Sequence, residues 1–385
     1  MFSYKMPCGV LHTDTQMTDT EVSFTPRLWE QRYCAVIQIL EDPRWAPKIK
    51  SVIDFGCSEM KLFQLMRRIE TIEKILEVDI DEDVLKKNVL FIKPLVADYV
   101  RRRKRPLHVD VLQGSVAESS QELQSIDAVV ALELIEHVYD DVLSKIPTNI
   151  FGFMQPKLVI ISTPNSDYNV IFTRFKPLLS NGFRHHDHKF EWTREQFKSW
   201  CLEIVDKYPN YMFSLLGLGD PPEGYTTVGH ATQMVIFVRK DLLDMPLLTP
   251  LIDQSALAEI KSYKLLHSID FPYFVDTRTK EEIIWAEVLF ELNRWKINED
   301  TYDVTLQAYK MPISYLLCRT ELLGATRDIL DELLKENKKC VENDFILIEE
   351  SDDDRSIDEN DWDNPIKCEP NADHLSDHNE CESWD

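Results

Sequence analysis

Short apolar runs alternate with stretches of helical spacing through the middle of the chain. The apolar runs predict buried strands at residues 50–55, 75–78, 107–113, 128–132 and 158–162. Apolar residues at helical spacing predict helices at residues 60–69, at 83–89 and from about residue 134 onward. Strands that are apolar throughout and alternate with helices are typical of a parallel sheet with both faces covered. We therefore predict an α/β fold.

The last two strands of this region have a different arrangement. Residues 211–218 and 233–238 are strand-like, and the linker at 219–231 contains Asp220-Pro221-Pro222 and is too short for a full helix. This pattern predicts an antiparallel hairpin at the edge of the sheet. The layout resembles class I S-adenosylmethionine-dependent methyltransferases, whose Rossmann-like, mostly parallel sheet ends in such a hairpin.

The remaining segments define the domain organisation that we predict. Residues 1–21 are polar and without periodicity, which indicates a flexible leader, and residues 22–240 form the main domain. Residues 241–340 contain helix-like stretches at 280–295 and 322–334, which predict a helical C-terminal extension. Residues 341–385 are rich in Asp, Glu, Ser and Asn, a composition typical of a disordered acidic tail.

The net charge of −24 belongs mostly to that tail. Residues 341–385 hold 17 acidic residues against two basic ones, whereas residues 22–240 hold 29 against 28. The main domain is nearly neutral, so its charge does not exclude a nucleic acid as a partner. The chain shows no signal peptide, no membrane span, no CxxC pair and no oligomerisation pattern. We expect a monomeric cytoplasmic protein with reduced thiols.

Three loops after predicted strands carry candidate cofactor residues. Asp54 and Gly56 end the first strand, where nucleotide cofactors lie in open α/β sheets, and Gly56 lets the backbone approach a ligand. Asp79 follows the second strand and could accept hydrogen bonds from a ribose diol. Ser115 follows the third strand. Ordinary turns could carry the same residues, but together they predict an adenosine-containing cofactor.

Candidate metal ligands follow the fourth strand. Glu133, Glu136 and His137 stand at positions i, i+3 and i+4, which share one face if the segment is helical. Two carboxylates and an imidazole suit Mn²⁺, Mg²⁺ or Fe²⁺. The loop at 183–192 contains three more histidines, any of which could complete the shell. The alternative is a solvated helix face and a polar loop.

The sequence strings ELIEH (133–137), STPN (162–165) and DHKFEWTREQF (187–197) together resemble the Hen-type small-RNA 2′-O-methyltransferases, in their animal, insect-like form. The resemblance runs from about residue 27 to residue 239. It implies that Glu133, Glu136, His137 and His188 hold Mn²⁺ or Mg²⁺ and form the catalytic centre. It also implies that Asp79 and Ser115 contact S-adenosylmethionine. Ser58 and Glu59 depart from the glycine-rich loop of the family.

The resemblance further implies the substrate and partners. We expect methyl transfer to the 2′-hydroxyl of the 3′-terminal nucleotide of small single-stranded RNA, with His137 or His185 as proton acceptor. We expect an Argonaute or Piwi protein as the carrier of the RNA, and RNA granules within the cytoplasm as a location. The basic run at 101–105, together with Arg174 and Lys176, could contact phosphates, although a solvated loop explains that run equally well.

Two other functions fit parts of the sequence. A metal-dependent O-methyltransferase of a small diol would use the same sheet and a similar metal centre. A non-catalytic binding module would use the acidic tail to recruit a basic partner. The long DHKFEWTREQF string and the basic run argue against the first, and the four intact candidate metal ligands argue against the second.

Overall fold

The computed structural model describes residues 2–5, 13–180, 182–251, 262–275, 277–297 and 299–349. These residues divide into two compact units, the first ending at Val275 and the second beginning after it. The first unit contains the following strands: β1 Asp14–Met17, β2 Val22–Thr25, β3 Ser51–Phe55, β4 Lys74–Asp79, β5 Leu107–Gln113, β6 Ala128–Leu132, β7 Leu158–Pro164, β8 Tyr211–Leu218, β9 Thr232–Arg239 and β10 Lys264–Phe271. Its α-helices are α1 Leu28–Leu40, α2 Phe63–Met66, α3 Glu82–Asn88, α4 Val96–Val100, α5 Asp140–Leu143, α6 Asn169–Phe172 and α7 Arg194–Lys207.

An eight-stranded sheet in the order β10-β5-β4-β3-β6-β7-β9-β8 organises this unit. Strands β5, β4, β3, β6 and β7 are parallel, and β9 and β8 form the antiparallel hairpin at one edge. The chain order reverses between β3 and β6, which creates a crevice at the carboxyl ends of the strands. The predicted α/β class, including its terminal hairpin, is therefore confirmed.

Both faces of the sheet are buried. On one face the side chains of Val52, Val109 and Ile236 pack with α1 residues such as Val36. On the other face Ile53, Val129 and Phe237 are fully buried, in a cluster that includes residues of α7. The apolar runs of the sequence exist because most side chains of these strands face a covered surface, with His108 of β5 as an exception.

The helix predicted after β6 is shorter and less regular in the structure than the sequence pattern suggests. Glu133 has a φ of 48°, which takes the backbone out of the helical region at its first residue. Ile135–His137 then form one turn of 3-10 helix, and α5 begins only at Asp140. Glu133, Glu136 and His137 therefore do not share one face of a regular helix, and other contacts position their side chains.

The segments on either side of the main domain contain more sheet than the sequence pattern indicates. Strand β1 lies within the predicted leader and pairs with β2, while Tyr4 is only 2% exposed. Strand β10 lies within the predicted helical extension and pairs antiparallel with β5. The β10 sequence KLLHSIDF has neither a continuous apolar run nor strict alternation of apolar and polar residues, so the pattern criterion does not detect it.

The second unit is a small α+β domain. Its helices are α8 Lys280–Trp295, α9 Ile313–Thr320 and α10 Arg327–Glu336, and its strands are β11 Tyr302–Asp303, β12 Ala308–Pro312, β13 Cys340–Glu342 and β14 Phe345–Glu349. The strands form an antiparallel sheet in the order β11-β12-β14-β13. Its core includes Ile284, Leu316, Leu330 and Ile346. Strands β13 and β14 begin the segment predicted as a tail; residues 350–385, which hold most of its acidic residues, lie outside the described part.

Within the described segments, no helix combines the length and the apolarity that a membrane crossing requires.

Candidate functional site

A cavity of about 500 Å³ opens at the carboxyl ends of β3, β4 and β6. Its lining includes Asp54, Gly56 and Asp79, three of the four residues predicted to bind the cofactor. Glu133, His137 and Asp187 line the same cavity. The cavity therefore joins the predicted cofactor loop to the predicted metal side, as a methyl transfer between two bound molecules requires.

The loop after β3 has an unusual backbone conformation. Gly56, Ser58 and Met60 all have positive φ, at 73°, 48° and 55°. A Cβ atom at Gly56 would lie 2.9 Å from the Leu134 side chain, so that position requires glycine. Ser58 adopts a conformation that favours glycine, which is the residue type expected in such loops. The sequence departure at Ser58 therefore changes the side chain but not the path of the loop.

Asp79 fixes this loop from the neighbouring strand. Its Oδ2 atom accepts a hydrogen bond of 2.9 Å from the Ser58 amide, and its Oδ1 atom accepts one of 2.9 Å from the Asp81 amide. The carboxylate thus bridges the ends of β3 and β4 and faces the cavity. This geometry suits a carboxylate that also receives hydroxyl donors from a ligand.

Asp54 is nearly enclosed by the sheet. Burial, with the Asp79 carboxylate as the second cause, raises the pKa of Asp54 to about 8. Glu77 lies opposite Asp54 on β4, and burial followed by the Asp54 charge also raises its pKa well above the usual range. A cationic ligand beside Asp54 would favour the charged form of this carboxyl.

Ser115 plays a different part from the other predicted cofactor residues. It is absent from the cavity lining, and its carbonyl oxygen accepts a 2.5 Å hydrogen bond from the hydroxyl of Tyr263. The Tyr263 ring packs so closely on Gly114 that a Cβ there would lie 2.5 Å from it. Tyr263 therefore stabilises the third predicted cofactor loop. No local sequence motif indicates this contact, because Tyr263 lies 148 residues after Ser115.

The carboxylate of Glu133 is held at the rim of the cavity. Its Oε1 atom accepts a 2.8 Å hydrogen bond from the Ser162 hydroxyl, and its amide donates to the Ser162 carbonyl oxygen at 3.0 Å. Its Oε2 atom lies 3.5 Å from Nη1 of Arg32. Ser162, the first residue of the STPN string, therefore positions Glu133.

Glu136, His137 and His188 come together. One ligand atom from each lies within 4.8 Å of the others, a spacing that one metal ion can bridge. Glu133, the fourth predicted ligand, is not in this group. Glu136 is fully buried, and Thr163 donates a 3.0 Å hydrogen bond to its Oε2 atom. Its Oε1 atom is buried with no hydrogen-bond partner among the described residues, as a vacant metal ligand would be.

Glu191 orients His188 within this group. The Nδ1 atom of His188 lies 2.6 Å from Oε1 of Glu191, which leaves Nε2 as the free ring nitrogen. Asn169 donates a 2.6 Å hydrogen bond to the other carboxylate oxygen. A carboxylate behind a histidine is the usual second layer of a metal site. Glu191 is not among the site residues predicted from sequence, although it stands three positions after His188 in the DHKFE string.

Burial sets the electrostatics of the three residues. It is the main cause that raises the pKa of Glu136 well above its usual range, and the Glu133 carboxylate is the second cause. Burial also lowers the pKa of His137, with His188 as the second cause, so the imidazole stays neutral and able to bind a metal. A divalent cation beside Glu136 would favour the ionised form of its carboxyl group.

The remaining loop histidines lie close to the group. The ring centroids of His185 and His188 are 5.4 Å apart, and those of His185 and His137 are 6.2 Å apart. His186 packs against His185 on the outer side and is exposed. Of the three loop histidines, which residue spacing alone left equivalent, His188 is the one grouped with Glu136 and His137, and it is also the one that the family resemblance implies.

The basic run at 101–105 divides into structural and exposed residues. The guanidinium of Arg103 is buried and donates hydrogen bonds to the carbonyl oxygens of Arg67, Ile69 and Ile72. Arg102 and Lys104 remain exposed. Arg103 is therefore unavailable for phosphate contacts, whereas Arg102 and Lys104 are accessible to a phosphate.

Known proteins resemble this chain over both units. A family model described as the HEN1 methyltransferase C-terminal domain matches residues 281–350. A small RNA 2′-O-methyltransferase of Drosophila melanogaster is 57% identical over 375 residues, which cover 95% of this chain and 93% of that protein. A small RNA 2′-O-methyltransferase of Gallus gallus is 35% identical and covers 70% of this chain and 68% of its own length.

One solved structure supports the same similarity. A crystal structure described as small RNA methyltransferase HEN1 aligns with a TM-score of 0.53 and 27% identity. The alignment covers 67% of this chain and 30% of that one.

Proposed function

The chain belongs to the small RNA 2′-O-methyltransferases, which are S-adenosylmethionine-dependent enzymes, and we propose that it methylates the 2′-hydroxyl of the 3′-terminal nucleotide of small RNAs in a metal-dependent reaction. The observation that carries this proposal is the Glu136–His137–His188 group, beside the cavity that Asp54, Gly56 and Asp79 line. It unites a metal-binding arrangement and a nucleotide-cofactor crevice at one edge of the sheet.

The three grouped residues fit Mn²⁺ or Mg²⁺. One carboxylate with an unpaired oxygen and two imidazoles suit a divalent ion. A divalent ion at this site supplies Lewis acidity, which lowers the pKa of a bound hydroxyl. Glu133 stays a proposed fourth ligand; its carboxylate lies at the rim of the site, where Ser162 and Arg32 contact it.

The chain's own residues supply positioning. Glu191 holds the His188 ring, Thr163 holds the Glu136 carboxylate, and Ser162 holds Glu133. The backbone loop at Gly56 and the Asp79 carboxylate hold the adenosine portion of the methyl donor. An orientation fixed on both sides of the reacting atoms accounts for a large share of the acceleration in group-transfer reactions.

Selectivity for the RNA 3′ end follows from the same centre. A terminal ribose offers neighbouring 2′ and 3′ hydroxyls, which can both approach one divalent ion. An internal nucleotide has a phosphodiester in place of the 3′-hydroxyl and cannot offer this pair. Methylation at this position would protect small RNAs in gene silencing, and an Argonaute or Piwi protein would present the RNA in the cytoplasm.

The decisive experiment is methyl transfer from labelled S-adenosylmethionine to a short single-stranded RNA. The assay would compare Mn²⁺ with EDTA, and the RNA with a matched oligonucleotide that has a 2′-deoxy 3′-terminal nucleotide. We expect transfer that requires both the metal and the terminal 2′-hydroxyl. Equal transfer to the 2′-deoxy oligonucleotide would contradict the proposed target, and transfer in EDTA would contradict the metal requirement.

A further inference from the structure

Arg184 lies directly behind the candidate metal group. Its backbone amide donates a 2.8 Å hydrogen bond to Oε1 of Glu191, the same oxygen that lies 2.6 Å from Nδ1 of His188. Its guanidinium carbon lies 4.5 Å from the centre of the Phe172 ring. Arg184 is therefore fixed by the backbone on one side and by an aromatic face on the other, which leaves the guanidinium edges for a ligand.

Among the described residues, no carboxylate forms an ion pair with the Arg184 guanidinium. Its Nε atom is buried and has no hydrogen-bond acceptor in the described part of the chain. Burial is the main cause that lowers the pKa of Arg184, while the charges of Glu191, Glu133 and Glu136 act in the opposite direction. Within the described ranges, none of these carboxylates lies in ion-pair contact with it, although Arg32 and Glu133 are so paired.

An arginine in this condition lacks an acceptor that it needs. A buried donor without a partner costs about 1–3 kcal/mol, and a guanidinium remains charged at any ordinary pH. The missing partner is therefore an anion that arrives with a ligand. The carboxylate of the methyl donor is a poor candidate, because the cofactor cavity has Arg32 and Lys61 in its lining and not Arg184.

We propose that Arg184 binds the phosphate that links the last two nucleotides of the substrate RNA. The inference rests on the proposed function, since it takes the terminal ribose to lie at Glu136, His137 and His188. That phosphate is one sugar away from the terminal hydroxyls. The Arg184 amide and the His188 ring share Oε1 of Glu191, and the Arg184 guanidinium lies within electrostatic range of Glu136. A planar guanidinium fork matches two phosphate oxygens.

This contact gives Arg184 a positioning role. It sets the distance between the phosphate and the hydroxyl pair, and so places the 2′-oxygen rather than any other atom at the reacting position. A small diol carries no such phosphate, so Arg184 also favours a nucleic acid over the small-diol substrate.

The test is equilibrium binding of short 5′-labelled single-stranded RNAs to the full chain, with Mn²⁺ and S-adenosylhomocysteine present. One RNA is natural, one carries a neutral methylphosphonate at the last linkage, and a control carries it at an internal linkage far from the 3′ end. The proteins are the parent, Arg184→Ala, Arg184→Lys, and Arg44→Lys as a matched arginine control whose guanidinium is bound by Asp42. Charge-assisted hydrogen bonds predict a loss of about tenfold to a hundredfold in affinity.

We expect the parent to lose affinity on methylphosphonate substitution at the last linkage. Arg184→Ala should bind the natural RNA with the same reduced affinity. Its affinity should not fall further for the RNA with the methylphosphonate at the last linkage. Arg184→Lys should fall between the two, and Arg44→Lys should match the parent. If Arg184→Ala discriminates between the natural and modified RNAs as strongly as the parent, the proposal is overturned.

Two further measurements separate this contact from a structural role and from the proposed function. Mn²⁺ affinity and thermal unfolding should be unchanged in Arg184→Lys; weaker Mn²⁺ binding with unaltered phosphate discrimination would overturn the proposal. The comparison of RNA affinities does not require methyl transfer. Its result therefore tests the Arg184 contact even if the methylated position differs from the one proposed.

Discussion

The Nδ1 atom of His188 lies 2.6 Å from Oε1 of Glu191, a contact between a candidate metal ligand and a residue three positions later. Because Asn169 holds the other oxygen of Glu191, neither side chain can turn freely. The contact fixes the tautomer of His188 and presents its Nε2 atom toward Glu136 and His137.

Replacement of this carboxylate should weaken the metal site without removing a ligand. We expect Glu191→Ala to reduce Mn²⁺ affinity by about 10- to 100-fold, since loss of an outer carboxylate typically has this effect. Isothermal titration with Mn²⁺ provides the measurement. Glu195→Ala, an exposed change at the start of α7, serves as control, and equal Mn²⁺ affinity in both variants would contradict the assigned role.

Loss of the buried ligand should separate chemistry from cofactor binding. Glu136→Ala removes the carboxylate whose Oε1 atom has no partner in the described segments. We expect methyl transfer to fall to background while S-adenosylmethionine affinity changes by less than about twofold, since Glu136 does not line the cavity. Methylation at the parental rate in Glu136→Ala would refute the metal assignment.

The strained loop predicts opposite effects at two neighbouring residues. Ser58 is exposed with a φ of 48°, and left-handed backbone costs a non-glycine residue about 1–2 kcal/mol. We expect Ser58→Gly to raise the melting temperature, as measured by differential scanning fluorimetry. Met60 has a φ of 55° but is fully buried, so Met60→Gly should lower the melting temperature through lost packing. A decrease in both variants would show that φ strain at Ser58 is negligible.

Two arginines of the basic run at 101–105 should contribute differently to the free energy of unfolding. Arg103→Ala removes charged donors from three carbonyl groups, and we expect a loss of about 2–4 kcal/mol in the free energy of unfolding. Arg102→Ala removes an exposed side chain and should change that free energy by less than about 0.5 kcal/mol. Urea unfolding distinguishes the two.

The same run tests the RNA hypothesis. If Arg102 and Lys104 contact phosphates, their joint replacement by Glu should weaken RNA binding and reduce its dependence on salt concentration. Unchanged salt dependence would restrict the run to its structural role at Arg103.

Asp54 should make stability depend on pH. Its pKa is raised to about 8 by burial, so the folded protein retains a proton that the unfolded chain releases above its ordinary pKa near 4. Stability from this group is full below that value and is lost as pH rises toward 8. We expect Asp54→Asn to gain stability over the parent as pH rises from 5 to 8 in thermal unfolding without cofactor. A constant difference across this range would contradict the assignment.

Much of the fold follows from local pattern. The continuous apolar runs of β3 to β7 required burial on both faces, and their alternation with helices required a parallel sheet. Strand β10 could not be predicted in this way, because it is stabilised by pairing with β5 and its own sequence has neither a continuous apolar run nor strict alternation. The short turn after β6 was likewise hidden, because Ser162 holds Glu133 in a non-helical conformation.

The sequence by itself determined the mostly parallel sheet with its terminal hairpin, and it placed the candidate site residues after the strands of that sheet, because spacing and strand order are properties of the linear chain. Only the tertiary structure decided that Glu136, His137 and His188 share one point while Glu133 bonds to Ser162 and Arg32. It also showed that Glu191 holds both the His188 ring and the backbone amide of Arg184, whose Nε atom has no acceptor among the described residues. These distinctions depend on angstrom-scale contacts between segments remote in sequence, and the linear order of residues does not encode such distances directly.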